Sequence, residues 1–360
     1  MGIEDLAAGL DDLARNREAL ALLILHGEQA VPVLAEVLLG PPSSIPEARC
    51  LAAEGLGAVG GEAAVSALIR VLSLHDIRRL DPVLRLAEAA VRNRAAAQLG
   101  KLEDRRAVEP LLYALARDGV REAMAALAAF GEPRAIPHIV RRLEDPCDRA
   151  AASDALLLFG AAAVPALAAT LTERWPAADD EAPVSVERRA EAARLLGLLG
   201  DRSAVAVLRA AVEDAAPPVR VEASLALAGL LGAEVSDDAL DIVARGLVRA
   251  SADLAARCSD ALVAVGDCSI PALLGVTGPR AAPTPGPRRP GEDTLQVLAI
   301  EVLERIRTAG SLHALEAYLR DASPLVRGRA RRALDRCSST AQAHEGVGAA
   351  EDSRTADRSG

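Results

Sequence analysis

Apolar residues recur along the chain at helical spacing, and the stretches they form are separated by glycines. Segments such as AVEPLLYAL (107–115) and AIPHIVRRL (135–143) place apolar residues three and four positions apart, as one face of a helix requires. The separating glycines lie 29 to 44 residues apart, at Gly27, Gly60, Gly100, Gly131, Gly160, Gly200, Gly232, Gly266 and Gly310. A period of this size predicts an array of helical repeats.

Each repeat is predicted to contain a helix A, a turn with the glycine, and a helix B. Glycine suits the end of helix A because it adopts the left-handed conformation without steric cost. Asp201 and Asp267 directly follow their glycines and are typical N-cap residues for the next helix. Pro110 and Pro137, near the start of helix B, fit a first helical turn, which needs no backbone donor.

The segment GLGAVGG (55–61) also fits the G-x-G-x-x-G spacing of a dinucleotide-binding loop. Such a loop requires a strand before it and a helix after it. Gly57 and Gly60 instead align with Gly197 and Gly200 of a later repeat, late in a predicted helix. We therefore interpret the spacing as a helix-packing position followed by a helix stop, and expect no cofactor there.

The segment VERRAEAARLLGLLGDRSAVAVLRAAVED (186–214) resembles a HEAT repeat of the short type found in phycobilisome bilin-lyase-like proteins. The resemblance covers about residues 3–337. It implies an all-α fold, a right-handed α-solenoid of about nine helix pairs plus a terminal helix, in which each repeat packs on its neighbours. It also implies a ladder between repeats, in which helix-A arginines bond to an aspartate that follows the turn. Arg49, Arg149 and Arg189 match the arginine position.

Longer gaps between glycines indicate insertions between helix B of one repeat and helix A of the next. The three longest are residues 73–82, 174–184 and 277–293, within one solenoid domain over residues 1–337. Residues 338–360 have little apolar content and are predicted to be a disordered C-terminal tail. Trp175, in the second insertion, is a candidate anchor for a partner protein. Folding back over exposed helix ends is the alternative.

Composition and charge narrow the function classes. The chain is 51% apolar but has few aromatic residues (Trp 1, Tyr 2, Phe 2), so its core is expected to consist of closely packed Ala, Leu and Val helices. A net charge of −10 argues against a general nucleic-acid or anionic-membrane binder. Scattered cysteines, no signal peptide and no apolar run near the ~18 residues of a membrane span favour a cytoplasmic location.

Catalytic sequence patterns are absent. The chain has no H-E-x-x-H, no G-x-S-x-G and no phosphate-binding loop. Within the resemblance, deoxyhypusine hydroxylase holds two irons through His-Glu pairs in helix A. The equivalent segments here are EARC (47–50), ERRA (187–190) and VRVE (219–222), and none contains such a pair. We therefore expect no catalytic residue, no metal and no cofactor.

Alignment of the second helices brings one set of positions into a single column: Glu36, Arg70, Tyr113, Arg141, Ala169, Ala210, Arg245, Gly275 and Arg320. The resemblance implies that helix B lines the concave face of a solenoid. It therefore predicts an inner stripe of Arg70, Tyr113, Arg141 and Arg245, with Arg142 and Arg249 close by. Guanidinium groups there would bind an acidic peptide or a carboxylate ligand through bidentate contacts. A solvated polar face with scattered arginines is the alternative.

The preferred function is a non-catalytic scaffold or adaptor that binds another protein along this concave surface, by analogy of fold. The first alternative is a bilin-lyase-like protein that attaches or removes a chromophore on a partner protein. The second is a nucleic-acid-binding module. These three functions differ in the partner that is bound, and the repeat pattern, which predicts only a fold, does not specify that partner.

Overall fold

A computed structural model describes residues 2–174, 181–249, 251–279 and 293–338 of the chain. Throughout these residues the regular secondary structure is helical, without a strand. The chain divides into two compact units, Met1–Thr170 and Leu171–Gly360. The predicted all-α fold is confirmed.

The first unit contains a short N-terminal helix and five helix pairs. The N-terminal helix is α1 (Ile3–Ala8). The pairs are α2 (Asn16–Leu25) with α3 (Val31–Leu38), α4 (Glu47–Val59) with α5 (Gly61–Val71), α6 (Pro82–Leu102) with α7 (Val108–Asp118), α8 (Glu122–Ala129) with α9 (Ile136–Arg142), and α10 (Arg149–Phe159) with α11 (Val164–Thr172), whose last two residues fall in the second unit.

The second unit contains four helix pairs and a final helix. The pairs are α12 (Pro183–Leu199) with α13 (Val205–Ala211), α14 (Pro217–Leu231) with α15 (Asp237–Arg249), α16 (Ala252–Val265) with α17 (Ile270–Thr277), and α18 (Thr294–Ile306) with α19 (Ala309–Tyr318). The final helix, α20, spans 324–338. The described residues thus contain the predicted nine pairs and terminal helix. The predicted tail beyond residue 338 lies outside them.

The core of each unit forms where successive A helices pack side by side. In the first unit α4, α6, α8 and α10 follow one another in this way, and in the second α12, α14, α16 and α18 do. Small residues allow the close approach. A Cβ at Gly197 would lie 2.7 Å from Cβ of Ala226, and one at Gly57 would lie 2.4 Å from Gln98 Oε1. The interpretation of Gly57 as a helix-packing position is confirmed.

Most of the repeat glycines follow helix A with a positive φ, between 54° and 74°, which favours glycine: Gly27, Gly60, Gly131, Gly160, Gly200, Gly232 and Gly266. The prediction is wrong for Gly100 and Gly310, which lie inside α6 and α19. Glu103 (φ 54°) and Arg307 (φ 57°) hold the left-handed position instead. Gly100 is a packing glycine like Gly197, since a Cβ there would lie 2.9 Å from Cβ of Ala126.

The aspartates after the turn have different roles. Asp201 accepts a hydrogen bond from the Ser203 backbone N–H at 2.8 Å, and so caps the short 3₁₀ turn before α13 as predicted. Asp267 does not cap its own turn. It accepts a hydrogen bond from Oγ1 of Thr308 in the next repeat. The N-cap prediction is therefore wrong at Asp267.

Two helical stretches, Arg149–Thr172 and Ala252–Thr277, are long and apolar enough to cross a membrane by length and composition, and 39% of the apolar window in each is buried. Each stretch comprises the two helices of one repeat. They meet at a glycine with positive φ, Gly160 (φ 59°) or Gly266 (φ 74°). The longest of the four helices has 14 residues, which is short of the ~18 that a span requires.

Candidate partner-binding surface

The helix-A arginines that match the repeat pattern form hydrogen bonds inside the array. Arg49 is 6% exposed; its Nε donates to the carbonyl of Leu38 at 2.9 Å, and its Nη1 donates to Glu88 at 2.5 Å. Nε of Arg149 donates to the carbonyl of Leu143 at 2.9 Å. In each case a guanidinium in helix A binds a carbonyl at the end of the preceding helix B.

The carboxylates in these bonds are not the ones that the resemblance implied. Arg189 is 2% exposed, and its Nε donates to the carbonyl of Leu171 at 2.9 Å. Its Nη2 donates to Asp214, which lies after helix B, and its Nη1 pairs with Glu181 at 2.7 Å. The expected partner after the A–B turn, Asp201, is occupied as a cap. The prediction is therefore wrong about which carboxylates accept these bonds, although the arginines do bond inside the array.

Sequence reasoning missed a fourth arginine of this class, Arg92. It is fully buried, its Nη1 donates to Asp118 at 2.7 Å, and its Nη2 donates to the carbonyl of His75. Arg92 precedes Glu103 by the same eleven residues by which Arg49 precedes Gly60. The eleven-residue spacing is present in the sequence, but it is missed when the spacing is counted back from Gly100 instead of from Glu103.

The column predicted on helix B is exposed at every position. Its members in the first unit are Glu36, Arg70, Tyr113, Arg141 and Ala169, and those in the second are Ala210, Arg245, Gly275 and Arg320. The residue two positions earlier is buried on each of the central helices of the first unit, at Leu68, Leu111 and Ile139. The alternation shows that helix B turns this column away from the core.

We define the helix-B surface as Arg70 on α5, Tyr113 on α7 and Arg141 on α9, all in the first unit. Among the described residues, the guanidinium groups of Arg70 and Arg141 have no hydrogen bond or ion pair. Arg141 also lines a cleft of about 320 Å³ against the end of α7, with Leu115 and Ala116. The surface therefore carries two guanidinium groups without an ion pair, and Glu144 and Asp145 line the same cleft as Arg141.

Tyr113 is 48% exposed and is held in place by a neighbour that the sequence analysis did not single out. Arg117, one turn later on α7, donates to Tyr113 Oη, and its Cζ lies 5.4 Å from the ring centroid. This hydrogen bond is the main cause that raises the pKa of Arg117 above its ordinary value. Nη2 of Arg117 also donates to Asp76 at 3.2 Å, so the 73–82 insertion positions Tyr113 through Arg117.

The remaining predicted site residues differ in their availability. Arg142 is half-buried; its Nη2 donates to the carbonyl of Leu115 at 3.4 Å, and its Nη1 lies 3.6 Å from Asp148. Arg245, in the second unit, is 69% exposed and lies 3.7 Å from Asp241. The side chain of Arg249 and the whole of Trp175 lie outside the described residues.

Within the described ranges, no group of three or more His, Cys, Asp or Glu side chains could hold a metal ion. All five cysteines are free. Burial raises the pKa of Cys50 and of Cys258 to about 11, so both thiols are protonated at neutral pH. Cys147 and Cys268 are exposed.

Comparison with known proteins identifies the repeats. The family model of the PBS lyase HEAT-like repeat matches residues 48–73, 91–117, 120–145 and 188–214. Three of these matches fall in the first unit and one in the second, and each covers most of a helix pair. No curated protein matches the sequence.

Two of the solved structures that resemble the chain differ in how far the likeness extends. The complex of CpcE and CpcF of phycocyanin lyase from Nostoc sp. PCC7120 is 24% identical, over 67% of this chain and 92% of that chain, with a TM-score of 0.35. Importin beta is 16% identical, over 87% of this chain and 45% of that chain, with a TM-score of 0.54. The likeness to importin beta is one of fold, a solenoid of helical pairs.

Proposed function

Because the chain is a HEAT-repeat protein with repeats of the PBS lyase HEAT-like type, we propose that it is a non-catalytic adaptor that binds a partner protein. The partner offers an acidic segment, which binds to the helix-B surface of the first unit. The observation that carries this proposal is the exposure of Arg70 and Arg141, without internal partners among the described residues, on the B helices before and after that of Tyr113. The free cysteines fit a reducing, cytoplasmic setting.

The chemistry of the surface favours a carboxylate-bearing partner. Arginine presents its N–H donors in a planar fork that matches a carboxylate bidentately. Tyrosine and arginine are enriched in protein interfaces and at their energetic centres. The net charge of −10 repels an acidic partner elsewhere, so local attraction to Arg70 and Arg141 orients the encounter.

The test is binding of a fluorescein-labelled oligoglutamate peptide to the intact protein, followed by anisotropy. We expect saturable binding to the wild type and a loss of at least about tenfold in Arg70→Glu with Arg141→Glu, because each reversal removes an attraction and adds a repulsion. The control is Arg15→Glu with Arg105→Glu, two exposed arginines of the same unit that lie off the helix-B surface. An equal loss of affinity in both double variants would mean that the peptide responds only to the net charge of the protein, and it would refute the proposal. Helicity by circular dichroism is expected to stay unchanged in both.

The name of the matched family favours a second candidate, a bilin-lyase-like protein that acts on a chromophore-carrying partner. The two candidates differ in their response to the pigment alone. After incubation with a bilin and removal of free pigment, the adaptor is expected to show no stable visible absorbance band. A retained band that scales with protein concentration would favour the lyase-like function.

A further inference from the structure

A second cleft lies in the other unit, between the start of α14, the end of α15 and the start of α16. Its volume is about 410 Å³, within the range of about 300–1,000 Å³ typical of ligand sites. Its apolar lining comes from Pro217, Pro218, Val221, Ile242 and Leu254. Two guanidinium groups, of Arg220 and Arg245, complete it. We call this the Arg245 cleft.

The two arginines are held differently, and both retain donors. Nη1 of Arg220 donates to the carbonyls of Asp214 and Ala215 at 2.6 and 2.9 Å, which fixes the guanidinium in place. Within the part of the chain that the structure describes, its other nitrogens have no hydrogen bond. Arg245 is 69% exposed, and its contact with Asp241 is 3.7 Å, too long for a hydrogen bond. A carboxylate entering the cleft would therefore meet one preorganised cation and one adjustable cation.

Beside the cleft, α15 and α16 approach each other closely at Gly246. A Cβ at Gly246 would lie 2.6 Å from Sγ of the buried Cys258, so only glycine lets α15 come this near to α16. Gly246 itself lines the cleft and contributes no side chain to fill it.

We propose that the Arg245 cleft binds an acidic peptide segment of a partner protein that carries a single large apolar residue. The apolar side chain packs between the two prolines and Leu254, and the flanking carboxylates pair with Arg220 and Arg245. Charge complementarity selects this occupant, because the cleft combines an apolar wall with two cations in a protein whose net charge is −10. The inference rests on the proposed adaptor function and adds a second binding site with its own side-chain preference.

The probe is a fluorescein-labelled Glu-Glu-Leu-Glu-Glu peptide, titrated with the intact protein carrying Arg70→Glu and Arg141→Glu, so that the helix-B surface cannot bind it. We expect saturable binding of this peptide. The affinity for Glu-Glu-Ala-Glu-Glu is expected to be lower by a factor of about five or more, because its alanine buries less apolar surface. Adding Arg245→Glu is expected to weaken binding at least about tenfold. Adding Arg209→Glu, an exposed arginine on α13 with the same charge change, is expected to have little effect.

Three results would overturn the proposal: no saturable binding up to about 1 mM peptide, equal loss in the Arg209 and Arg245 variants, or equal affinity for the Leu and Ala peptides. Leu254→Ala, with helicity checked by circular dichroism, is a second variant that removes only the apolar wall, and it should reduce the preference for Leu over Ala. The two sites fail separately. An equal loss of oligoglutamate binding in the Arg70/Arg141 and Arg15/Arg105 double variants would refute binding at the helix-B surface. The three results above would refute binding at the Arg245 cleft.

Discussion

At the scale of single residues, the arginines of this chain fall into two groups according to where the guanidinium ends. Arg49, Arg92 and Arg189 are buried, and each bonds to a backbone carbonyl that precedes its own helix and to a carboxylate. A buried cation that loses its carboxylate is destabilising by about 3–5 kcal/mol. Arg70 and Arg141 end in solvent and are therefore available to a partner.

Asp214 shows how strongly the first group depends on its carboxylates. Its burial alone would raise its pKa, but the hydrogen bond from Ala216 N–H and the guanidinium groups of Arg189 and Arg174 outweigh burial and lower the pKa. Because the folded pKa lies below the unfolded one, the stabilisation is present above the unfolded value of about 3.9 and is lost as pH falls through the folded value.

We therefore predict that Asp214→Asn lowers the free energy of unfolding by about 3 kcal/mol at neutral pH. Urea denaturation followed by circular dichroism measures this change. The gap between wild type and variant should shrink as the pH falls below about 4. Glu213→Gln, at the exposed neighbouring position, is the matched control and should change stability little. A gap that stays constant with pH would contradict the assigned role of the carboxylate.

At the scale of elements, most repeats end helix A in the same way, and two repeats are exceptions. Seven repeats have a glycine with positive φ after helix A, whereas α6 is followed by Glu103 and α18 by Arg307, both in the left-handed conformation. A non-glycine residue in this conformation costs roughly 1–2 kcal/mol. The side chain of Glu103 is exposed and so gains little from packing.

Glu103→Gly is consequently predicted to stabilise the protein by about 1 kcal/mol, since the left-handed conformation then costs nothing. Glu103→Ala removes the same carboxylate but keeps the Cβ, and it should not stabilise. The shift in the urea midpoint at constant m measures both changes. Equal midpoints for the Gly and Ala variants would show that φ at this position carries no strain.

The helices and their order followed from the sequence because apolar spacing and helix-ending glycines are local signals. The register within the third repeat did not, because Gly100 satisfies a packing contact with Ala126 and only the neighbouring helix distinguishes the two roles. The same limit applies to the surface. The exposed column on helix B was readable from one helix at a time, but the contact of Asp76 with Arg117 joins an insertion to another repeat. The bonds of Arg142 were not readable in this way, because its partners Leu115 and Asp148 belong to other repeats.

At the scale of the whole molecule, both units bury ionisable groups that must remain neutral. Burial raises the pKa of Cys50 in the first unit to about 11, and in the second unit that of Cys258 to about 11 and that of Tyr318 to about 12. Tyr318 is fully buried, and its Oη donates to the carbonyl of Thr277 at 3.0 Å. A folded pKa above the unfolded one means that stability is fully present below the unfolded value and is lost as pH rises through the folded value.

We therefore expect the free energy of unfolding of the wild type, measured by urea denaturation, to fall between about pH 9 and pH 12, by up to about 2–3 kcal/mol for each group. Cys258→Ala with Tyr318→Phe should be less stable near neutral pH, because it loses packing and a hydrogen bond, but its midpoint should fall less steeply with pH. Cys268→Ala with Tyr113→Phe changes the same residue types at exposed positions and should keep the wild-type slope. Parallel slopes in all three proteins would mean that exposed groups, and not the buried thiol and phenol, govern alkaline unfolding.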